Sequence, residues 1–195
     1  MEMAALSEKS VNAAIEAYVS GIKQIENIRN WSEEIRQLQD DVSELAVDII
    51  ARYQPVASDL RFVKAAMEIA YGFSRFGRYA YDIAEVLELG GDLSICDKGA
   101  VELTAKTTKE MIRMSVDAFA NRDVELAKSV QKLDDFVDEK LRETFDRAVH
   151  GRYPEVKCAL SESLIMRYLE RISDHSSYIG DSVIYIVTGE RSPRK

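Results

Sequence analysis

Apolar residues recur three and four positions apart through almost the whole chain, the period of amphipathic helices rather than of strands. The clearest case is residues 154–190, which open at Pro154 and stop at Thr188-Gly189. At about 100° per residue, Ile165, Tyr168, Leu169, Ile172, Ile179, Val183 and Ile186 share one broad face. Glu170, Asp174 and Asp181 fall within about 40° of one another on the opposite side, an acidic stripe expected to face either solvent or a cation.

The same period predicts five earlier helices. The first covers 4–29 through Leu6, Val11, Ile15, Tyr18, Ile22 and Ile25, with Ser20-Gly21 tolerated inside it, since one glycine costs a helix only about 1 kcal/mol. Asn30 or Ser32 is expected to cap the second, with Glu33 and Glu34 in its first turn. It continues through Ile35, Leu38, Val42, Leu45 and Ile49 to Tyr53 and closes at Pro55. The third starts near Val56 and runs to Leu87, and Gly90-Gly91-Asp92 is the strongest break in the chain. The fourth spans 98–121 and the fifth 124–150, separated by a turn at Asn121-Arg122-Asp123.

The halves repeat. An offset of 96 carries Phe73, Phe76, Ile83 and Glu85 onto Leu169, Ile172, Ile179 and Asp181, and one near 93 carries Asn30 and Asp41 onto Asp123 and Asp134. The expectation is an all-α fold, a tandem pair of three-helix bundles covering 1–90 and 98–190, with 191–195 a polar, basic tail. A single irregular bundle is the alternative; the matched prolines and the glycine-rich centre favour two halves.

Composition narrows the function. The net charge of -8 argues against nonspecific affinity for nucleic acid or anionic lipid. The N-terminus lacks the basic-then-apolar pattern of a signal peptide, and no segment reaches the length and purity of a membrane span, so a cytoplasmic protein touching membranes only through partners is expected. Cys96 and Cys158 have no metal-ligand spacing and are expected to be reduced, buried small hydrophobes.

No zinc-protease, phosphate-loop, dinucleotide or serine-nucleophile pattern occurs, so catalysis is not the expected role. His150 reads as a helix C-terminal cap and His175 as a structural residue; Gly72 and Gly77 read as sites of close helix contact. The acids remain. Asp134 and Asp138 are spaced i, i+4 on the fifth helix, as Glu170 and Asp174 are on the sixth. If the two pairs faced each other, their carboxylates would suit a hard or borderline metal ion, with Arg167 and Arg171 balancing excess charge. The matching first-half positions are Ser74 and Arg78, the latter able to pair with Asp82, so any metal site is expected to be stronger in the second half. A metal-dependent phosphohydrolase would need a general acid that the pattern does not supply.

Tyr168-Leu169-Glu170-Arg171-Ile172-Ser173-Asp174-His175, then Ile179-Gly180-Asp181 and the ending Val183 to Glu190, resemble the signature of the PhoU family, regulators of phosphate uptake and phosphate signalling. Arg52-Tyr53-Gln54-Pro55 through Arg61 resembles the family's loop and third-helix opening. The resemblance implies six helices in two repeats, often a homodimer, with iron, zinc, manganese or magnesium sites on the acidic motifs. Glu170 and Asp174 are then the leading metal ligands, with Asp134 and Asp138 from the neighbouring helix. It also implies an adaptor rather than an enzyme, acting on the ATP-binding subunit of a phosphate ABC transporter and on a sensor histidine kinase. A divalent-metal sensor or store with changed partners is the alternative. Ser173 in place of the signature glycine, Tyr178 in place of asparagine and the divergent Phe73 to Tyr79 are departures from the family pattern.

Overall fold

The computed structural model describes residues 1–190, so the expected tail at 191–195 lies outside the described residues. Six helices follow in order: α1 (Glu2–Ser20), α2 (Ile25–Tyr53), α3 (Ala57–Gly90), α4 (Gly99–Asn121), α5 (Val124–Val149) and α6 (Val156–Thr188). Four of the five boundaries between helices stand close to where the periodicity put them. The first does not.

Ser20-Gly21 is a true helix end. Gly21 adopts φ 76°, and its N–H donates to the Ala17 carbonyl at 2.8 Å, satisfying a group that the end of a helix otherwise leaves without a partner. The left-handed conformation costs a glycine no Cβ clash, which a propensity sum over the window ignores. α2 then starts at Ile25, so Asn30 and Ser32 lie inside it rather than capping it. The apolar period runs unbroken across the joint because α2 begins within four residues and buries Ile28 at once. Other ends follow local chemistry. Asp123 caps α5 by accepting from the Leu126 N–H at 2.9 Å, and Gln54 takes φ 47° just before Pro55.

α3 and α6 run antiparallel at the centre, with Tyr79 against Tyr168 and a Cβ at Gly72 coming within 3.2 Å of Ile179. α2 flanks α3 and α5 flanks α6, making a four-helix layer; α1 and α4 pack behind it and touch each other. One core cluster gathers Val11 and Ile15 of α1, Ile35 of α2, Phe76 and Ile83 of α3, Ile112 of α4, Leu141 of α5, and Leu169 and Ile172 of α6. The α6 apolar face is buried as the wheel predicts, apart from the half-buried Tyr168. Each fully buried large side chain there contributes about 1.5–3 kcal/mol. Gly77 lets α2 approach: a Cβ on it would stand 2.9 Å from Ile35 Cδ1 and 3.2 Å from the Ser32 Cα. Both glycines therefore serve the contacts expected of them.

The cysteines overturn the reading of two reduced thiols. Cys96, in the connection between α3 and α4, is joined to Cys158 in the first turn of α6 by a disulfide spanning 62 residues, with the Cα atoms 5.3 Å apart. Both side chains are buried, as expected, but as one cross-link. Sequence distance hid the pairing because the α3–α4 connection folds back over the start of α6.

Candidate functional site

The acidic stripe of α6 is only partly open to solvent. α6 is enclosed by α3, α4 and α5, so the face opposite its apolar stripe meets α5, and Glu170 is only 8% exposed. Glu170 Oε1 accepts from Arg167 Nη1 at 3.0 Å, and Asp174 Oδ2 accepts from Arg171 Nη1 at 3.1 Å. Glu170 Oε2 is buried without a hydrogen-bond donor, with Arg171 Nε 3.8 Å away. From α5, Asp134 Oδ1 accepts from Ser173 Oγ at 2.7 Å, and Asp138 pairs with Arg142 at 3.5 Å.

The four acids feel one another. Burial, then the Asp174 charge, and more weakly Asp138, raise the Glu170 carboxyl above the usual carboxylate range, against Arg167 and Arg171. Burial, then Asp134, and more weakly Asp138, raise Asp174, against Arg171. All four predicted residues thus belong to one electrostatic cluster at the α5–α6 contact. Asp181 stands apart from it, held by Gln131 of α5.

The donor chemistry of this cluster, all carboxylate with one orphaned buried oxygen, suits a hard cation. The placement is less favourable: among the described residues no three His, Cys, Asp or Glu side chains gather where one ion would touch them all. Arg167 and Arg171 stand where a cation's charge would be needed. The residues suit a metal in donor type, but the arginine pairing, not a shared ion, is what balances their charge in this arrangement.

The first half is built differently at the matching place. Ser74 and Arg78 replace Glu170 and Asp174, and Arg78 Nη2 binds the buried Asp82 at 2.8 Å, the internal pairing expected. Gly77, at the position of Ser173, has Ile35 and Ser32 across from it, where Ser173 has Asp134. Ile35, a fully buried apolar residue, is therefore the counterpart of Asp134, and the sequence offset that matched Asp41 with Asp134 does not describe the packing. The starts of α2 and α5, Ile25 and Val124, agree with the contact register.

The histidines behave as expected. His150 is exposed and its Nδ1 lies 2.8 Å from the Asp146 carbonyl at the end of α5. His175 packs among rings, with centroids 5.8 Å from Tyr71, 5.9 Å from Tyr79 and 5.6 Å from Tyr178. Burial, then the Arg75 and Arg171 charges, push it down to about 4, so it is neutral at pH 7. Sequence reasoning missed this aromatic seam between α3 and α6. Its signal was present in the seven-residue spacing of Tyr168 to His175 and Tyr178 to Tyr185, which keeps rings on one side of α6.

A tandem three-helix repeat, with charged and aromatic side chains along its central helix pair, defines an all-helical repeat protein whose chemistry lies on a helix face. The PhoU domain model matches residues 1–87 and 101–183, and the chain belongs to the PhoU family. It is 32% identical over 202 residues to a phosphate-specific transport system accessory protein PhoU homologue of Pseudomonas putida, covering 97% of this chain and 76% of that one. The homologue of Pseudomonas aeruginosa is 31% identical over 203 residues, covering 97% and 81%. The crystal structure of PhoU from Pseudomonas aeruginosa superposes with a TM-score of 0.88 at 30% identity, covering 97% of this chain and 93% of that one. The phosphate transport system regulatory protein PhoU from Streptococcus pneumoniae shares the fold with a TM-score of 0.91 at 22% identity, covering 99% and 93%.

Proposed function

We propose that this protein regulates phosphate uptake and phosphate-responsive signalling as a non-catalytic accessory protein, working through contacts. The observation that carries this is the family match over both repeats, together with relatives described as accessory proteins of a phosphate-specific transport system. The partners we infer are the ATP-binding subunit of a phosphate ABC transporter, a sensor histidine kinase and a second copy of the chain. None of the described helices is long and apolar enough to cross a membrane. Affinity capture from phosphate-replete cells is expected to recover the transporter ATPase or the kinase, and recovery of neither would sink the reading. Light scattering checks the homodimer.

A second reading concerns the acids. The orphaned Glu170 Oε2 and the mutual repulsion within the cluster favour a divalent metal at Glu170, Asp174, Asp134 and Asp138, in exchange for the arginine contacts. Elemental analysis should find an ion in the wild type and none in Glu170→Ala/Asp174→Ala. A metal-free wild type leaves the cluster as a surface for partners.

A further inference from the structure

A cleft of about 590 Å³ opens on the α3–α6 seam beside α2, within the size range of sites for small ligands. Tyr71, His175, Tyr178 and Tyr185 supply its rings, and Lys64, Glu68 and Asp181 its charges. It is separate from the acids at the α5–α6 contact.

Along this seam the tyrosine faces are seats for cations. Lys64 lies 5.4 Å from the Tyr185 centroid while paired with Glu68, and the Arg75 guanidinium lies 4.7 Å from that of Tyr79. Tyr71 and Tyr178 differ. Each meets His175 edge-on, each is about half exposed at 52% and 53%, and among the described residues no lysine or arginine covers either ring. Asp181 lies three residues beyond Tyr178 on the same side of α6, its carboxylate held in place by Gln131.

We propose that this cleft binds an organic cation, an alkylammonium or guanidinium group seated on Tyr71 and Tyr178 and paired with Asp181. Two carboxylates against one lysine leave the lining acidic, and that lysine is already neutralised by Glu68. Anions are disfavoured. The nearest arginines do not line the cleft: Arg75 donates to the Tyr79 hydroxyl at 2.9 Å and Arg171 to Asp174 at 3.1 Å. The Lys64–Glu68–Tyr185 contact is the chain's own instance of the same arrangement, a cation between a carboxylate and a ring. The cation's source is either a free polyamine or a lysine or arginine side chain presented by a partner.

Titration of the full chain with spermidine, and separately with an arginine-containing octapeptide, followed by tyrosine ring NMR shifts, tests the site and separates the two sources. Adenosine monophosphate is the anionic aromatic control. At least one cation is expected to bind with shifts at Tyr71 and Tyr178. Tyr178→Ala is expected to weaken that binding about three- to thirty-fold. Asp181→Asn, which keeps the acceptor for Gln131, is expected to weaken it about tenfold. Tyr71→Ala replaces Tyr178→Ala if circular dichroism shows the latter misfolded. Absence of binding by both cations at millimolar concentration, binding unchanged in the variants, or preference for adenosine monophosphate would each overturn the proposal.

Discussion

The two central helices put different chemistry on one scaffold. In α3 the run Ser74-Arg75-Phe76-Gly77-Arg78-Tyr79 keeps its apolar partners and closes its single buried acid, Asp82, with Arg78. In α6 the run Glu170-Arg171-Ile172-Ser173-Asp174-His175 holds a buried Glu170 and a part-buried Asp174 beside two more acids from α5, and pairs its own two with arginines. Phe76 and Ile172 are both fully buried at matching places, so the packing repeat survives while the charge repeat does not. Burial dictates the first, because a core position accepts only an apolar side chain of suitable volume. Nothing in the packing dictates the second. The difference across Gly77 and Ser173 goes with it: an apolar Ile35 can lie tight against a glycine, whereas Asp134 needs a hydroxyl donor.

The disulfide gives the strongest test, because it ties the connection between the halves to α6 alone. Cys96→Ala/Cys158→Ala, or reduction by a dithiol, is expected to lower unfolding free energy by about 2–4 kcal/mol, as loss of a loop closure of this length should. Urea unfolding with and without reductant measures it. A shift in the double variant on adding reductant would show that another group is responsible.

Bringing the halves together at Gly77 comes next. Gly77→Val is expected to cost about 1–3 kcal/mol, since its Cβ would press on Ile35 and on the Ser32 backbone. Gly151→Ala, at a positive φ with open space around it, is the contrast and should cost about 1 kcal/mol. Thermal melts of the two variants rank them.

Removing the α6 charges should change the pH profile more than the stability at any one pH. Glu170 and Asp174 have carboxyls raised by burial and by their acidic neighbours, so the folded state holds their protons more tightly than the unfolded chain does. Their contribution is therefore fully present below the usual carboxylate range, and it is lost as pH rises through the raised values. Glu170→Gln/Asp174→Asn should flatten the fall in urea midpoint with rising pH above about 4. An unchanged slope would mean that the arginines already neutralise the cluster.

The smallest effect is expected where the first half is already closed. Arg78 is half exposed, and Arg78→Lys retains a cation for Asp82, so a change within about 1 kcal/mol is expected at neutral pH. A larger loss would mean that the fork of the guanidinium, and not its charge, holds that carboxylate.

Much of the fold was legible because helix periodicity and end chemistry are local. Pro55 and Gly90-Gly91 marked their breaks, Asp123 lay beside its own, and Ile165 to Ile186 marked the buried face of α6. Gly21 was misjudged because the apolar period continued past it, and only its backbone conformation distinguishes a cap from a weak spot. The four acids were legible as residues. Their setting was not: a helical wheel shows which side chains share a face, but not that α5 covers the face opposite the core.

The sequence by itself therefore determined the six helices, their tandem order and the chemical inequality of the halves, since each rests on spacing within a helix or on residue identity. The tertiary structure decided that Glu170 and Asp174 lie in a part-buried, arginine-paired cluster at the α5–α6 contact. It also decided that Ile35 rather than Asp41 stands opposite Gly77, and that Cys96 meets Cys158. Those outcomes depend on how helices slide and turn against one another, a freedom settled by packing between residues far apart in the chain.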